Sequence, residues 1–242
     1  MKDRADRLLV TLGLFESRAS ARAAIEAGLV RADGVQVTKP AQDISADAVI
    51  EADPAHPYVS RGGLKLAHGL EAFGIDPAGQ ACLDIGASTG GFTEVLLLNG
   101  ARHMTAVDVG RGQLHPRIAA DPRVTNLEAT DARSLTPDRL PEAPTLLVCD
   151  ASFISLEKLL EVPLSLAAPG AEFVGLFKPQ FQVGRDHVGK GGIVTDLAAA
   201  DAAAVRFEAW MNEKGWPIHV WTASPISGGD GNAERLFHAV KA

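Results

Sequence analysis

The chain has 242 residues, 46% of them hydrophobic and only 5% aromatic, with 23 Lys and Arg against 30 Asp and Glu. An ordinary apolar fraction with interspersed charge excludes general disorder, and 24 Gly and 14 Pro scattered without period exclude fibrous and low-complexity classes. No apolar run approaches the roughly 20 residues of a membrane-spanning helix, and the formal charge of −7 argues mildly against nucleic acid as a partner.

The opening residues Lys2, Asp3, Arg4, Asp6 and Arg7 leave no room for the apolar core of a secretory leader, so none is expected. The first expected element is a short helix with Leu8, Leu9, Leu12 and Leu14 as apolar contacts and Arg4 and Arg7 on its polar side. A second helix should run from Ser17 to Gly28. Ser17 suits its N-cap, the Ala-rich body supports it, and Gly28 suits the left-handed residue beyond its end. Arg18 and Arg22, four apart, share one face, which spacing alone leaves open between a solvated and a binding surface. Leu29 and Val30 lead into Asp33-Gly34, a tight-hairpin signal, and Val35 with Val37 alternates as a strand does. These pieces make a small α+β unit over residues 1–53, with charge nearly balanced at seven Lys and Arg against eight Asp and Glu through residue 52. The prolines of Asp53-Pro54-Ala55-His56-Pro57 disfavour helix and central strand, so 54–60 reads as a linker before a domain spanning 61–242.

Ser17-Arg18, Ala21-Arg22, Ile25 and Ala27-Gly28-Leu29-Val30, followed by Asp33-Gly34, Val37 and Lys39-Pro40, resemble the S4 RNA-binding domain. The resemblance implies that the arginine-bearing helix face and the following loop contact structured RNA, through Arg4, Arg7, Arg18 and Arg22.

From residue 61 onward, apolar runs alternate with helical segments. Strands are expected at Ala81–Ile85, Met104–Asp108, Thr145–Asp150, Glu172–Phe177, Ile218–Thr222 and Glu234–Val240. Continuous apolar strands separated by helices imply an α/β, Rossmann-like parallel sheet covered on both faces. In such sheets ligands bind beyond the carboxyl ends of the strands. Asp84, Asp108 and Asp150 are therefore expected to cluster along that edge. Cys82 and Cys149 fall inside apolar runs and read as buried thiols of a reducing cytoplasm.

Asp84-Ile85-Gly86-Ala87-Ser88-Thr89-Gly90-Gly91-Phe92 lies between the first of these strands and its helix. Its glycines permit a sharp turn and close approach of a ligand, but its spacing is neither the dinucleotide G-x-G-x-x-G nor a P-loop. Asp108 follows Gly90 by 18 residues, where an acid reaches ribose hydroxyls in nucleoside-binding sheets. A Gly-rich turn without phosphate-binding equipment fits an adenosine lacking a pyrophosphate, such as S-adenosylmethionine. NAD and a turn with no ligand stay open. Gly184 to Lys190 satisfies G-x-x-x-x-G-K, but Gly191 replaces the Ser or Thr of a nucleotide site, so a basic substrate loop with Arg185 and Lys190 is the better reading.

Four polar residues could carry chemistry: Lys65 at the start of a helix, Asp150 and Lys178 ending strands, and Glu234 beginning the last one. A lysine that ends an apolar strand is costly to bury alone, and Asp150 could be its partner. A core ion pair without chemistry remains open on this pattern. No His, Cys or Asp cluster has metal-ligand spacing.

Tyr58-Val59-Ser60-Arg61-Gly62-Gly63-Leu64-Lys65-Leu66, the turn from Asp84 to Thr93, Ala106-Val107-Asp108-Val109-Gly110, Asp150 with Ser152-Phe153-Ile154-Ser155-Leu156, Lys178-Pro179-Gln180-Phe181, and Ser224-Pro225-Ile226 with Gly231-Asn232 and Glu234 resemble the TlyA family. That resemblance implies an S4 domain joined to an FtsJ-like methyltransferase domain. It implies S-adenosylmethionine-dependent 2′-O-methylation of cytidine ribose in 16S or 23S ribosomal RNA, in the cytoplasm, by a protein expected to be monomeric, without metal or membrane. It also implies a catalytic Lys65, Asp150, Lys178 and Glu234, with cofactor contacts from Asp84, Gly86, Ala87, Ser88, Thr89, Gly90, Gly91, Phe92, Asp108, Val109, Asp131, Ala132 and Asp150. Some relatives carry hemolysin names, and a membrane-active protein or a non-enzymatic RNA-binding assembly factor are the alternatives. Residues 54–65 and 178–192 carry Arg61, Lys65, Lys178, Arg185 and Lys190 against Asp186 alone. The acidic total thus leaves a basic active face, suited to a local, structured RNA target.

Overall fold

The computed structural model describes residues 2–242. The chain divides into two compact units, the first ending at Pro57 and the second comprising Tyr58–Ala242.

The first unit contains β1 (Lys2–Arg4), α1 (Ala5–Thr11), α2 (Arg18–Glu26), β2 (Val30–Ala32), β3 (Val35–Gln36), β4 (Asp43–Ser45) and β5 (Ile50–Ala52). β2 pairs antiparallel with both β3 and β5, and β1 with β4. Ser17 caps α2 reciprocally: its hydroxyl accepts the Ser20 amide at 3.2 Å while the Ser20 hydroxyl accepts the Ser17 amide. The core gathers Leu8, Leu9, Phe15, Ala24, Ile25, Val30, Val37 and Ile44. Leu12 and Leu14 are not in it. They are 47% and 46% exposed, because α1 stops at Thr11 and Gly13 turns the chain with φ of 71°. Phe15 fills the space instead.

Arg4 likewise sits on β1 and not on a helix face. Its Nε and Nη2 donate to the two oxygens of Asp6 at 3.0 and 3.1 Å, and Arg18 Nη2 donates to the same carboxylate at 2.7 Å. The Asp6 side chain is fully buried, whereas Arg4 and Arg18 stay about half exposed. These guanidiniums hold the Asp6 carboxyl well below the usual carboxylate range.

The second unit runs α3 (Gly62–Phe73), β6 (Ala81–Ile85), α4 (Gly91–Leu98), β7 (His103–Val107), α5 (Pro116–Ala119), β8 (Val124–Leu127), β9 (Leu146–Cys149), α6 (Leu156–Leu166), β10 (Glu172–Phe177), α7 (Leu197–Glu213), β11 (Ile218–Ala223) and β12 (Arg235–Val240). The seven strands order as β11-β12-β10-β9-β6-β7-β8. The five from β8 to β10 are parallel, but β12 runs antiparallel to β10 and β11 antiparallel to β12. The strand β8, with the mixed sequence Val124-Thr125-Asn126-Leu127, carries no continuous apolar run and is not apparent from periodicity.

Strand alternation divides the core into two layers. Leu83, Ile85, Leu147, Cys149, Phe173 and Phe177 face α6 and α7, while Cys82, Leu146, Val148, Val174 and Leu236 face α3 and α4. Cys82 and Cys149 are free, buried thiols, each pushed up to about 12 by burial. Residues 58–60 do not behave as linker. Tyr58 and Val59 pack on the α3–α4 layer, and the Val59 amide donates to Glu94 Oε2 at 2.6 Å.

Asp6→Ala should lower the stability of the first unit by about 2 kcal/mol, since it strands two arginines that lose charge-assisted hydrogen bonds. Because the folded carboxyl titrates well below its unfolded value, this contribution is complete above about pH 5, begins to decline as pH falls through about 4, and is lost only as pH falls through the much lower folded value. Hydrogen exchange of α1 and α2 amides in the full chain, converted to opening free energies, should give a wild-type-minus-variant difference that shrinks over that range.

Candidate active site

The site lies at the carboxyl ends of β6, β7, β9 and β10, where strand order reverses between β6 and β9. Lys178 follows β10 directly and Asp150 follows β9, so parallel pairing sets them side by side. Lys178 Nζ stands 2.6 Å from Asp150 Oδ1 as an ion pair. Its aligned hydrogen bonds go instead to the Ser152 hydroxyl at 2.8 Å and the Asp150 carbonyl at 3.3 Å. Lys65, on the first turns of α3, donates to Glu234 Oε2 at 2.5 Å. Both lysines are buried to 7% exposure, so the carboxylates offset what would otherwise be costly desolvation.

Lys65, Asp150, Ser152 and Lys178 line one small cavity of about 310 Å³ together with Arg61 and the 86–92 turn. Glu234 is buried behind Lys65 and does not reach the cavity wall. Gly228 closes over it, since a Cβ there would come within 2.5 Å of Glu234 Oε1. Ser152 is the polar neighbour that residue typing passed over, although its place two residues after a strand-ending aspartate is a readable signal.

A second cavity of about 670 Å³ adjoins the first and shares Gly86, Ser88, Asp150 and Ser152 with it. Asp108 is pinned at its edge: Oδ2 accepts the Ser88 amide at 2.8 Å and Oδ1 the Gly110 amide at 2.7 Å. Lone pairs on both oxygens remain for a ligand hydroxyl. Val109, 72% exposed, and Ala132 supply apolar wall, while Asp131 caps a 3-10 turn and pairs with Arg133 at 2.6 Å. Gly86 turns the chain with φ of 82°, and a Cβ there would lie 3.0 Å from the Ala151 backbone. A carboxylate placed for vicinal hydroxyls, an apolar slot and a side-chain-free turn suit a nucleoside-bearing ligand.

Of the expected cofactor residues, Asp84 and Gly90 line neither cavity, and Ala87, Thr89, Gly91 and Phe92 line only the smaller one. Asp84 lies inside β6, pointing away from Leu83 and Ile85, and is completely buried. Thr93 donates to its Oδ2 at 2.7 Å while Oδ1 has no partner, and burial pushes the carboxyl up to about 7. Gly90 lines neither cavity. It caps α4 in the left-handed region and is packed by Leu114 and Ile118. Phe92 is buried beneath the small cavity, contributing wall and core at once.

The expected RNA contacts divide between the units. In the first, Arg4 and Arg18 are tied to Asp6, Arg7 pairs with Asp3 at 3.3 Å, and Arg22 is exposed. In the second, Arg61 lines the small cavity, and Arg185 and Lys190 are exposed on the glycine-rich segment after β10. Among the described residues no group of His, Cys, Asp and Glu is arranged to hold a metal ion.

Family models match over both units: the S4 domain at residues 3–50 and the FtsJ-like methyltransferase at 58–241. The chain is 47% identical over 235 residues to the 16S/23S rRNA (cytidine-2′-O)-methyltransferase TlyA of Mycobacterium tuberculosis, covering 96% of this chain and 87% of that protein. The chain belongs to the TlyA family. A 23S rRNA (cytidine-2′-O)-methyltransferase TlyA of Campylobacter jejuni is 40% identical, covering 76% of this chain and 71% of the relative. A solved structure of a hemolysin-named protein from Streptococcus thermophilus superposes with a TM-score of 0.79 at 37% identity, covering all of this chain and 89% of that one. Despite the hemolysin name, no helix among the described residues of this TlyA-family chain is long and apolar enough to cross a membrane. The chain is an FtsJ-like methyltransferase using S-adenosylmethionine as methyl donor.

Gly86→Val should weaken S-adenosylmethionine binding at least ten-fold in isothermal titration calorimetry, because the turn must shift to clear Ala151. Asp84→Asn tests the buried carboxyl. A raised folded pKa costs stability as pH climbs from about 4 to 7, where the unfolded state has released its proton and the folded state has not. Urea midpoints should therefore show the variant gaining on wild type through that interval and holding its gain above pH 7.

Proposed function

We propose that this chain transfers the methyl group to the ribose 2′-hydroxyl of a cytidine in structured ribosomal RNA, of one or both subunits. The observation that carries the reading is Lys178, buried, paired with Asp150 at 2.6 Å and opening with Lys65 onto one cavity beside the cofactor cavity. The TlyA relatives named for this reaction support the choice of cytidine and of ribosomal RNA.

When bound, S-adenosylmethionine supplies a methyl group on a sulfonium, electrophilic toward an oxygen aligned behind it. Asp108 would hold the cofactor's ribose hydroxyls. Val109 and Ala132 would flank its adenine, with Asp131 beside the amino group. Gly86, Ala87, Ser88, Thr89 and Gly91 would bring main chain to its amino-acid end.

A ribose hydroxyl is a poor nucleophile, and holding it in line with the methyl carbon removes much of the barrier. Lys65, fixed by Glu234, would orient the target ribose. Lys178 is read as acting by charge. Its Nζ, fixed by Asp150 and the Ser152 hydroxyl, would stabilise negative charge developing on the oxygen as the hydroxyl proton passes to solvent and the sulfonium leaves as a neutral thioether. Phe153, held at φ of 68° and 91% exposed, offers a base an open ring face at the cavity mouth.

The first unit, through residue 53, would engage structured RNA with Arg4, Arg7, Arg18 and Arg22. The domain from 61 onward would add Arg61, Arg185 and Lys190. Such a protein works where ribosomes are assembled, in the cytoplasm, and is read as a monomer.

Lys178→Ala should lower methylation by at least two orders of magnitude, the scale of losing one preorganised charge donor, while S-adenosylmethionine affinity stays within a few-fold. Mass spectrometry of ribosomal RNA nucleosides from cells with and without the protein, complemented by wild type or variant, reads the methylation, and isothermal titration calorimetry reads the affinity. Unchanged 2′-O-methylcytidine on deletion overturns the reading.

A further inference from the structure

Beyond the cofactor cavity, and sharing Phe153 and Ile154 with it, lies an open groove of about 970 Å³. Its walls come from the start of α6, the segment after Lys178 and the outer face of α7. Apart from Phe153 and Arg185, none of its residues enters the reaction described above.

The groove combines three features that point to one chemistry. Phe181 packs against Phe153 with ring centroids 5.2 Å apart, and Trp210, stacked on Phe207, supplies a further aromatic wall. Lys158 and Arg185 are exposed along the groove and make no ion pair among the described residues. Arg206 is held by the Gln182 carbonyl at 2.7 Å and by Glu157 at 3.5 Å, so the groove's acid is already neutralised. Finally, Gln180 Oε1 is buried in the groove wall with no hydrogen-bond partner, an acceptor lacking an N–H. Flat aromatic faces, unpaired cations and an orphan acceptor are what a nucleotide uses: a stacking base, a phosphate and an exocyclic amino group.

We infer that this groove holds the nucleotide adjoining the methylated one in an unpaired stretch of the same RNA strand. The inference rests on the ribosomal RNA reading above: the groove meets the cofactor cavity at Phe153 and Ile154, and Phe153 directly follows Ser152, which lines the small cavity of Lys65 and Lys178. A base leaving the target pocket meets Phe181, and its phosphate meets Lys158 and Arg185. This groove would fix strand register around the target, which the small cavity of about 310 Å³ cannot do by itself.

The test uses the full chain, labelled S-adenosylmethionine and a protein-free ribosomal RNA transcript containing the methylated cytidine. Lys158→Glu, on an exposed helix position, should raise KM for RNA about ten-fold and flatten the slope of log affinity against log salt by about 0.7, the value for one lost single-strand phosphate contact. The Kd for S-adenosylmethionine should stay within two-fold. Trp210→Leu should raise KM without changing that slope, because it removes a ring and not a charge. 4-Thiouridine placed next to the target should crosslink to the Gln180–Arg185 peptide. Unchanged KM and slope in both variants, with wild type active, overturn the groove alone, as does an effect seen only on intact subunits and absent from the transcript. Wild-type protein that methylates no ribosomal RNA overturns the parent reading and the groove with it.

Discussion

Two ammonium groups, on Lys65 and Lys178, are buried at the carboxyl edge of one sheet, and each leans on a single carboxylate. Removing one partner of such a pair costs about 3–5 kcal/mol because the other charge is left without compensation. That demand explains the departure from an all-parallel sheet. Glu234 immediately precedes β12, so it reaches the carboxyl edge of β10 only if β12 runs antiparallel, with Arg235 opposite Phe177. A parallel final strand would carry the same glutamate to the opposite edge and leave Lys65 unpaired. The other half is local, since Asp150 directly follows β9 and Lys178 directly follows its parallel neighbour β10.

The same alternation that builds the core decides which aspartates can act. Asp108 and Asp150 lie just beyond their strands, where backbone direction changes and the side chains reach the cavities. Asp84 lies one residue inside β6, on the face of Cys82, under α4 and Thr93. It serves the turn from below, and its carboxyl, close to neutrality in pKa, avoids placing a third full negative charge among Asp108, Asp150 and the incoming cofactor.

Much of this was legible in the sequence, for reasons that differ by element. The strands β6, β7, β9 and β10 announce themselves because both faces are covered, which makes them continuous apolar runs. The strand β8 is a sheet edge with only a partial cover, so Thr125 and Asn126 dilute its signal. Helix ends also escaped periodicity: Leu12 and Leu14 continue the apolar spacing of α1, yet the backbone has already turned at Gly13. The four polar residues of the site were identifiable by type and position, because a buried lysine after an apolar strand has few structural justifications. Their grouping came from the family resemblance and not from spacing, since the pairing of Lys65 with Glu234 spans 169 positions and depends on the direction of β12. Ser152 sits where a signal could be read, but its contact and that of Phe153 needed the structure. Only the turn after β9 shows one hydroxyl reaching Lys178 and the next ring standing in solvent.

A net charge of −7 looks ill suited to RNA until the arginines are taken by their partners and not by their number. Arg4 and Arg18 share the buried Asp6, which fixes both guanidinium forks while leaving each side chain about half exposed. A fork already ordered loses less freedom when it meets a phosphate, so the pairing trades some attraction for geometry. Lys158 and Arg185, by contrast, make no ion pair among the described residues and would be available to the strand. On the proposed reading, held arginines on a small unit and free cations around the reactive edge would favour an RNA that presents phosphates to each. The acidic remainder disfavours one that offers only charge, so discrimination comes from placement, and the surplus of Asp and Glu contributes to it.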